Sequence, residues 1–395
     1  MLGFEEALER IVLDAPRTPT ERVELSEAFD RVSAEDIVAR APLPPFDYSA
    51  MDGYALDSRA LTGSAPYRLR VSSESRAGHH VPTLAQGEAC RIFTGAAVPE
   101  HADAVVMQEN VTAADGAITF SARPSPGENV RRRGEDLEVG AIGLAAGTRL
   151  GALQLGLVAA LDYADVAVAR RPRVTVVCTG DELRQPGSAP WPGSVPESNG
   201  VAVTALARRA GADARATPIV PDDEATIRST LEAALDSSDL VVTVGGVSVG
   251  DHDLVRAALE GAGVGLDFWK VRIKPGKPLV YGTRGAVRVL GLPGNPASAQ
   301  VTFVLFGLPL LAAMQGARDA HRLRRRRAKL GAALKQKTGR TGFYRAKVTD
   351  DVVVPLSNQA SGAPTSLAWA DALLVVPETT SELEPGASVE IIALT

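Results

Sequence analysis

Apolar residues recur along the chain with two different periods, and the switches between them divide it. Near the N-terminus Phe4, Ala7, Leu8, Ile11 and Val12 repeat at helical spacing, which predicts an amphipathic helix packed on the rest of the protein. From Val32 to about Gly147 the sequence carries short β-branched runs (YRLRVSS, ACRIF, DAVVMQ, AITFS) separated by Gly and Pro. These predict a β-rich region joined by turns rather than helices. Leu153 to Leu161 return to an apolar helical pattern and are expected to pack beside the N-terminal helix in a small helical module. From Pro172 onward strand-like runs such as PRVTVVCTG, DLVVTVGG and AVRVLGLPGNP alternate with helical ones such as NGVAVTALARRAG and DEATIRSTLEAALDSS. That alternation predicts a doubly wound parallel α/β domain covered on both faces. Beyond the arginine run Arg322 to Arg327, short alternating stretches (FYRAKV, DVVVPL, ALLVVPE, VEIIAL) predict a C-terminal β-barrel-like domain. The expected division is 1–25 with 140–171 as the helical module, 26–139 as the β-rich arm, 172–318 as the α/β domain and 319–395 as the closing β domain.

A chain of 395 residues exceeds what one core usually serves, so several domains are expected. A formal net charge of -5 is small for that length and argues against duplex nucleic acid as a partner. The arginine run reads as a solvated boundary. Cys90 and Cys178 are the only cysteines; far apart in apolar surroundings, they suit two buried reduced thiols better than a disulfide or a metal site. The N-terminal segment mixes acids with its apolar residues and lacks the basic-then-apolar order of a secretory signal. Val301 to Met314, the most apolar stretch, is shorter than the roughly 20 residues of a spanning helix and contains Pro309. A cytoplasmic chain with no membrane anchor is the expectation.

Open α/β sheets bind ligands outside the carboxyl ends of their strands, so the loops after VTVVC, LVVTV and VRVLG should share one rim. The first carries CTGDEL with Thr179, Asp181 and Glu182. The second, TVGGVSVGDHD, combines Gly245, Gly246, Ser248 and Gly250 with Asp251 and Asp253; its amides lead into a helix and favour an anionic group. Asp251 and Asp253 read equally as helix caps or as oxygen donors to a divalent cation. The third, GLPGNPASA, puts Asn295 at a helix cap and Pro296 at the first helical position, with Pro293 stiffening the loop. Lys274 and Lys277 flank the Pro-Gly turn of IKPGKP, just after Lys270, and make a compact cationic site for phosphate or an oxyanion. Within the arm, PPFDYSAMDGYAL brings Ser49, Met51, Asp52 and Gly53, and GENVRRRGEDL combines Arg131, Arg132 and Arg133 with Glu135 and Asp136. The arginines offer bidentate donors that the acids would hold in line.

Taken in order, SAMDGYA, TGAAVPEHADAVVMQE, GENVRRRGED, TGDEL, SNG, GGVSVGDHD, KPGKP and LPGNPASA resemble the molybdopterin molybdenumtransferase family, which includes the C-terminal domain of gephyrin. The resemblance covers most of the chain. It implies an elongated four-part protomer, a homodimer, and a site between the α/β domain of one protomer and the arm of the other. It implies insertion of molybdenum from molybdate into adenylylated molybdopterin with release of AMP, assisted by Mg2+. The positions it carries over are Asp52, Thr94, Asp136, Glu182, Asp222, Asp253, Lys270, Lys274, Pro293 and Pro296. Asp222 sits in PDDE, which is also an ordinary helix start. Glu182 and Asp253 are the candidates for Mg2+ or for activating water, and Asp52 and Asp136 for closing the site from the partner's arm. A protein that adenylylates the pterin is a further possible partner. Two other readings stay open in the sequence: an interaction scaffold, since gephyrin's domain also anchors receptor tails, and a tungsten-inserting or binding-only relative.

Overall fold

The computed structural model describes residues 1–246, 254–320 and 323–394. At its centre lie four parallel strands, in spatial order Asp213–Ala216, Arg173–Cys178, Leu240–Val244 and Val287–Leu292. Period-two alternation fixes their two faces. Val174, Val176, Val242, Val244, Leu290 and Leu292 join the core that holds helix Asn199–Arg209, while Val177, Val241 and Val289 face helices Glu224–Ser237 and Leu254–Gly261. Both faces are therefore covered, as the near-continuous β-branched runs require.

The sheet is not wholly parallel. Pro278–Arg284 pairs antiparallel with Val287–Leu292, and Gly265–Lys270 pairs antiparallel with Pro278–Arg284. Only Gly285 and Ala286 separate Arg284 from Val287, and so short a link permits only a hairpin.

The N-terminal helix, Phe4–Leu13, does not pair with the second helix, Ala152–Ala160. Its Phe4, Ala7, Leu8 and Ile11 are buried in the α/β core against the apolar helix that ends at Met314. The Phe4 ring meets Phe306 and Phe343 edge-on at 5.6 and 4.8 Å. The segments 1–25 and 140–171 nonetheless meet, through strands: Thr20–Glu24 pairs antiparallel with Asp165–Ala169. The larger apolar stripe of the first helix finds more cover in the α/β core than a short apolar helix with one buried residue, Val158, could give.

Among the described residues one helical stretch, Pro296–Met314, is long and apolar enough to cross a membrane, and most of it is buried within the protein. It runs as Pro296–Thr302, a wider turn over Phe303–Gly307, and Leu308–Met314. Pro309 supplies no N–H and crowds the preceding turn, which accounts for the widening.

The arm is a six-stranded sheet in the order Ala104–Met107, Gly53–Leu56, Glu88–Ile92, Tyr67–Ser75, Ala117–Phe120, Thr112–Ala114. At the C-terminus Thr341–Thr349, Val352–Pro355, Arg325–Leu330, Ser388–Ala393 and Ala372–Val376 close on themselves, because Thr341–Thr349 pairs with Ala372–Val376 as well. The end of the arginine run is in a strand: Arg325 to Arg327, exposed, begin a barrel strand, with Arg325 paired to Glu5 and Glu390. The two-residue strand Ile273–Lys274 pairs with Thr341 and Gly342, fastening the lysine turn of the α/β domain to the barrel. Cys90 and Cys178 are both buried and unpaired.

Asp239 fastens the small module to the sheet. Both its oxygens accept from Arg170 Nη2 at 2.9 Å and one accepts from the Arg173 amide at 2.7 Å. Partial burial pushes this carboxyl up, but the Arg173 amide and the two guanidiniums outweigh it and hold it below the usual range. The lowered folded value means its contribution is full above the unfolded carboxyl value near pH ~3.9 and is lost as pH falls through the folded value. Asp239→Asn should therefore cost about 1–3 kcal/mol in denaturant melts at neutral pH, a difference that shrinks as the pH is taken below 4.

Candidate active site

The carboxyl ends of three parallel strands open into one cleft of about 840 Å3. Taking the strands in chain order, its walls include Cys178, Thr179, Gly180 and Glu182 at the end of the first strand and beyond it, Gly245 and Gly246 after the third, and Pro293 to Pro296 after the fourth, with Asp181 not among them. The expected common rim is therefore formed. Asp222 lines it too, contributed by the turn that follows Val220. Its amide donates to Asp181 Oδ1 at 3.0 Å, while the neighbouring Asp223 takes the helix cap, accepting from the Thr226 amide and hydroxyl at 2.8 and 2.6 Å. With the cap filled by Asp223, the Asp222 carboxylate is spared for the cleft.

Glycine is required at several points of this wall. A Cβ on Gly180 would fall 2.4 Å from Glu182 Oε2, so the Glu182 carboxylate lies folded against that glycine. Gly245, at φ +95°, approaches the Thr179 carbonyl so closely that a Cβ would stand 2.8 Å from its oxygen.

Two buried polar side chains that the resemblance does not carry over, Asn199 and Thr179, stand in the cleft wall. Asn199, from the SNG motif, donates from Nδ2 to the Gly294 carbonyl at 2.7 Å and so ties two walls together. Its Oδ1 and the Thr179 hydroxyl are buried without a hydrogen-bond partner among the described residues; the two residues are only 8% and 5% exposed and both line the cleft. Unpaired buried polar atoms are costly, and these are available to a ligand. Asn295 stands at the helix start but makes no side-chain cap, leaving its amide in the cleft wall.

The barrel contributes as well, through Gly362 and Pro364. Their loop is held by Arg345, which is 1% exposed and donates to the Ala360 carbonyl at 2.9 Å and the Ser366 hydroxyl at 3.1 Å. The Ser361 carbonyl accepts from the Ala297 amide at 2.9 Å. No motif marks this loop, whose NQASGAP reads as an ordinary turn.

The lysines stand at the edge of the cleft rather than among the residues lining it. Lys270 is in register with Pro278, a wall residue, and the Val271 amide donates to the Lys277 carbonyl at 3.1 Å. Lys274 is exposed, with Nζ 5.8 Å from the Tyr344 ring centroid. None of the three lysines is among the described residues lining the cleft, and Lys274 lies on the two-residue strand that pairs with the barrel. Ser248, Gly250, Asp251 and Asp253 lie outside the described residues. Among the described residues no group of three or more His, Cys, Asp or Glu converges as a metal cage. Glu182 and Asp222 do supply carboxylate oxygens, the donor type of a hard dication that keeps water or phosphate in its other positions.

The arm gathers its own motifs. Tyr48–Ser49 pairs with Val130–Arg131, which puts SAMDG beside GENVRRRGED. Asp52 Oδ1 accepts from the amide and hydroxyl of Thr94, both at 2.8 Å, and these two bonds hold the Asp52 carboxyl below its ordinary range. Arg131 is paired with Asp136 and Glu135, the nearby acids raising its already high pKa. Asp47 accepts from Arg132 Nη1 at 2.8 Å and from the Arg133 amide at 2.7 Å. The acids do align the arginines, with Asp47 as an aligning residue the sequence did not single out. Among the described residues lining the cleft, none comes from the arm.

Three family models match in order along the chain: the MoeA N-terminal region (domain I and II) over 2–161, a "probable molybdopterin binding domain" over 175–313, and the MoeA C-terminal region (domain IV) over 327–394. A curated relative from Haemophilus influenzae, named molybdopterin molybdenumtransferase, is 40% identical over 87% of this chain and 85% of its own length. The chain belongs to the molybdopterin molybdenumtransferase family. A second family member, molybdopterin molybdenumtransferase 2 of Mycobacterium tuberculosis, is 36% identical over 94% of this chain and 95% of its own. The crystal structure of the molybdopterin biosynthesis MoeA protein of Pyrococcus horikoshii OT3 superposes with a TM-score of 0.88 at 30% identity, covering all of both chains.

The lysine turn gives a test of the site's rigidity. Gly276 lies at φ +97°, and a Cβ there would fall 2.3 Å from Thr302 Oγ1. Gly276→Ala should cost about 1–3 kcal/mol through backbone strain alone, lowering the thermal midpoint. An unchanged midpoint would show that the turn adapts freely.

Proposed function

We propose that this chain inserts molybdenum from molybdate into adenylylated molybdopterin and releases AMP, in the cytoplasm, where unpaired thiols such as Cys90 and Cys178 persist. The observation that carries this reading is the meeting of Glu182, Asp222, three positive-φ glycines and the Thr179 and Asn199 groups, unpaired among the described residues, in one cleft of about 840 Å3. That volume suits a ligand as large as a pterin nucleotide. The glycine loops let backbone amides approach phosphate oxygens, and Asn199 and Thr179 offer the hydrogen bonds that would orient the pterin or its linker.

Lys270, Lys274 and Lys277, along the rim, meet the negative charge of molybdate and phosphate. Glu182 holds or orients the water that opens the phosphoanhydride, and Asp222 accepts beside it. Mg2+, held by Glu182 with Asp222 and with Asp253, would supply charge to the phosphate oxygens. Molybdenum, the cargo, is taken up by the two dithiolene sulfurs as AMP leaves.

Asp52 and Asp136 act from the arm of a second copy. In favour of a homodimer, helix Ala152–Ala160 is apolar along nearly its whole length yet leaves Leu153 86% exposed, and it packs on Ile142–Leu144, where Ile142 is also exposed. An apolar surface of this kind is expected to be covered by another chain.

Lys274→Ala and Glu182→Gln should each reduce AMP release at least about a hundredfold with adenylylated pterin, molybdate and Mg2+, as loss of a charged group at a reacting phosphate does, while the sedimentation coefficient stays unchanged. Full turnover by both variants would remove the cleft from the reaction and leave a scaffold as the better reading.

A further inference from the structure

A cationic cavity lies at the end of the same sheet opposite the cleft. It is lined by Arg31, Arg170, Arg171, Arg173 and Arg208 and has a volume of about 640 Å3. Arg173 begins the strand whose last residue, Cys178, borders the catalytic cleft, so the two openings are separated by roughly 16 Å of extended chain.

The charges in this cavity do not cancel. Arg31, buried, is paired with Glu21, and Arg170 and Arg173 share the single carboxylate of Asp239. Arg171 and Arg208 are held by backbone carbonyls, Gly211 O at 3.3 Å and Ala214 O at 2.9 Å. Asp213 is the remaining acid in the lining. Five guanidiniums therefore face three carboxylates, in a chain whose formal net charge is -5. Anchoring on carbonyls fixes the position of a guanidinium without neutralising it and leaves other N–H groups free. Planar forks held in this way match the oxygens of a phosphate.

We propose that this cavity is a second anion site, distinct from the catalytic cleft, that takes a multiply charged phosphate group such as pyrophosphate or the phosphate chain of a nucleotide. The site joins the small module to the α/β sheet through Arg170, whose Nη2 donates to both oxygens of Asp239 at 2.9 Å, so occupancy also braces that joint.

Calorimetric titration of the full-length protein with inorganic pyrophosphate, and separately with a non-hydrolysable ATP analogue, tests this. Saturable binding of pyrophosphate should weaken at least about tenfold in R171A/R208A, the loss of one charge-assisted hydrogen bond or more, and should persist in Lys274→Ala. The R171K/R208K variant, which keeps the charge and removes the fork, should weaken binding several-fold and serves if the alanine variant fails to fold. Tighter binding of the ATP analogue than of pyrophosphate, sensitive to the same changes, would identify a nucleotide as the source of the phosphate. Absence of saturable binding at millimolar pyrophosphate, binding unaffected by R171A/R208A and R171K/R208K, or binding abolished by Lys274→Ala would each overturn the proposal.

Discussion

A parallel strand buried on both faces has no side chain to spare for chemistry along its length, and this constraint shapes the whole protein. Val174 to Cys178, Leu240 to Val244 and Val289 to Leu292 are committed to packing. Reactive groups can stand only where these strands end and their carbonyls point out of the sheet. At the carboxyl ends the chain places glycines, carboxylates and unpaired polar atoms; at the amino ends it places arginines. The doubly wound sheet separates two chemistries by the length of one strand.

The surrounding domains then serve that rim. The barrel is not an independent appendage: it shares the strand Ile273–Lys274 with the α/β domain and sends the Gly362 loop into the cleft wall. Burial of Arg345 without a carboxylate partner among the described residues is tolerated because its donors are used to hold that loop. The arm aligns its own charges internally, with Asp52 on Thr94 and Arg131 on Asp136, so its charged side chains are held in place by the protomer itself.

Much of this was legible in the sequence because it depends on local patterns. The β-branched runs specified the sheet, and the glycine and proline loops specified its rim, since only those residues fit the backbone there. What escaped depends on tertiary competition. Two apolar helices could pair in principle, yet Phe4 and Ile11 are drawn into the larger α/β core. PDDE reads as a helix start, and only the structure assigns the cap to Asp223 and frees Asp222. The lysines read as a cradle, and the sequence held no sign that the strand carrying Lys274 pairs with the barrel. Asn199 could have been weighed from its SNG motif; the Gly362 loop carried no signal at all.

The central claim, that the cleft of one protomer is completed by the arm of another, is tested most directly by complementation. Asp52→Asn alters the arm and Glu182→Gln the cleft, and each alone should be inactive. In a mixed dimer one site then carries both changes and the other neither, so random assembly should recover about a quarter of wild-type AMP release. Activity no greater than that of the separate variants would contradict an intersubunit site.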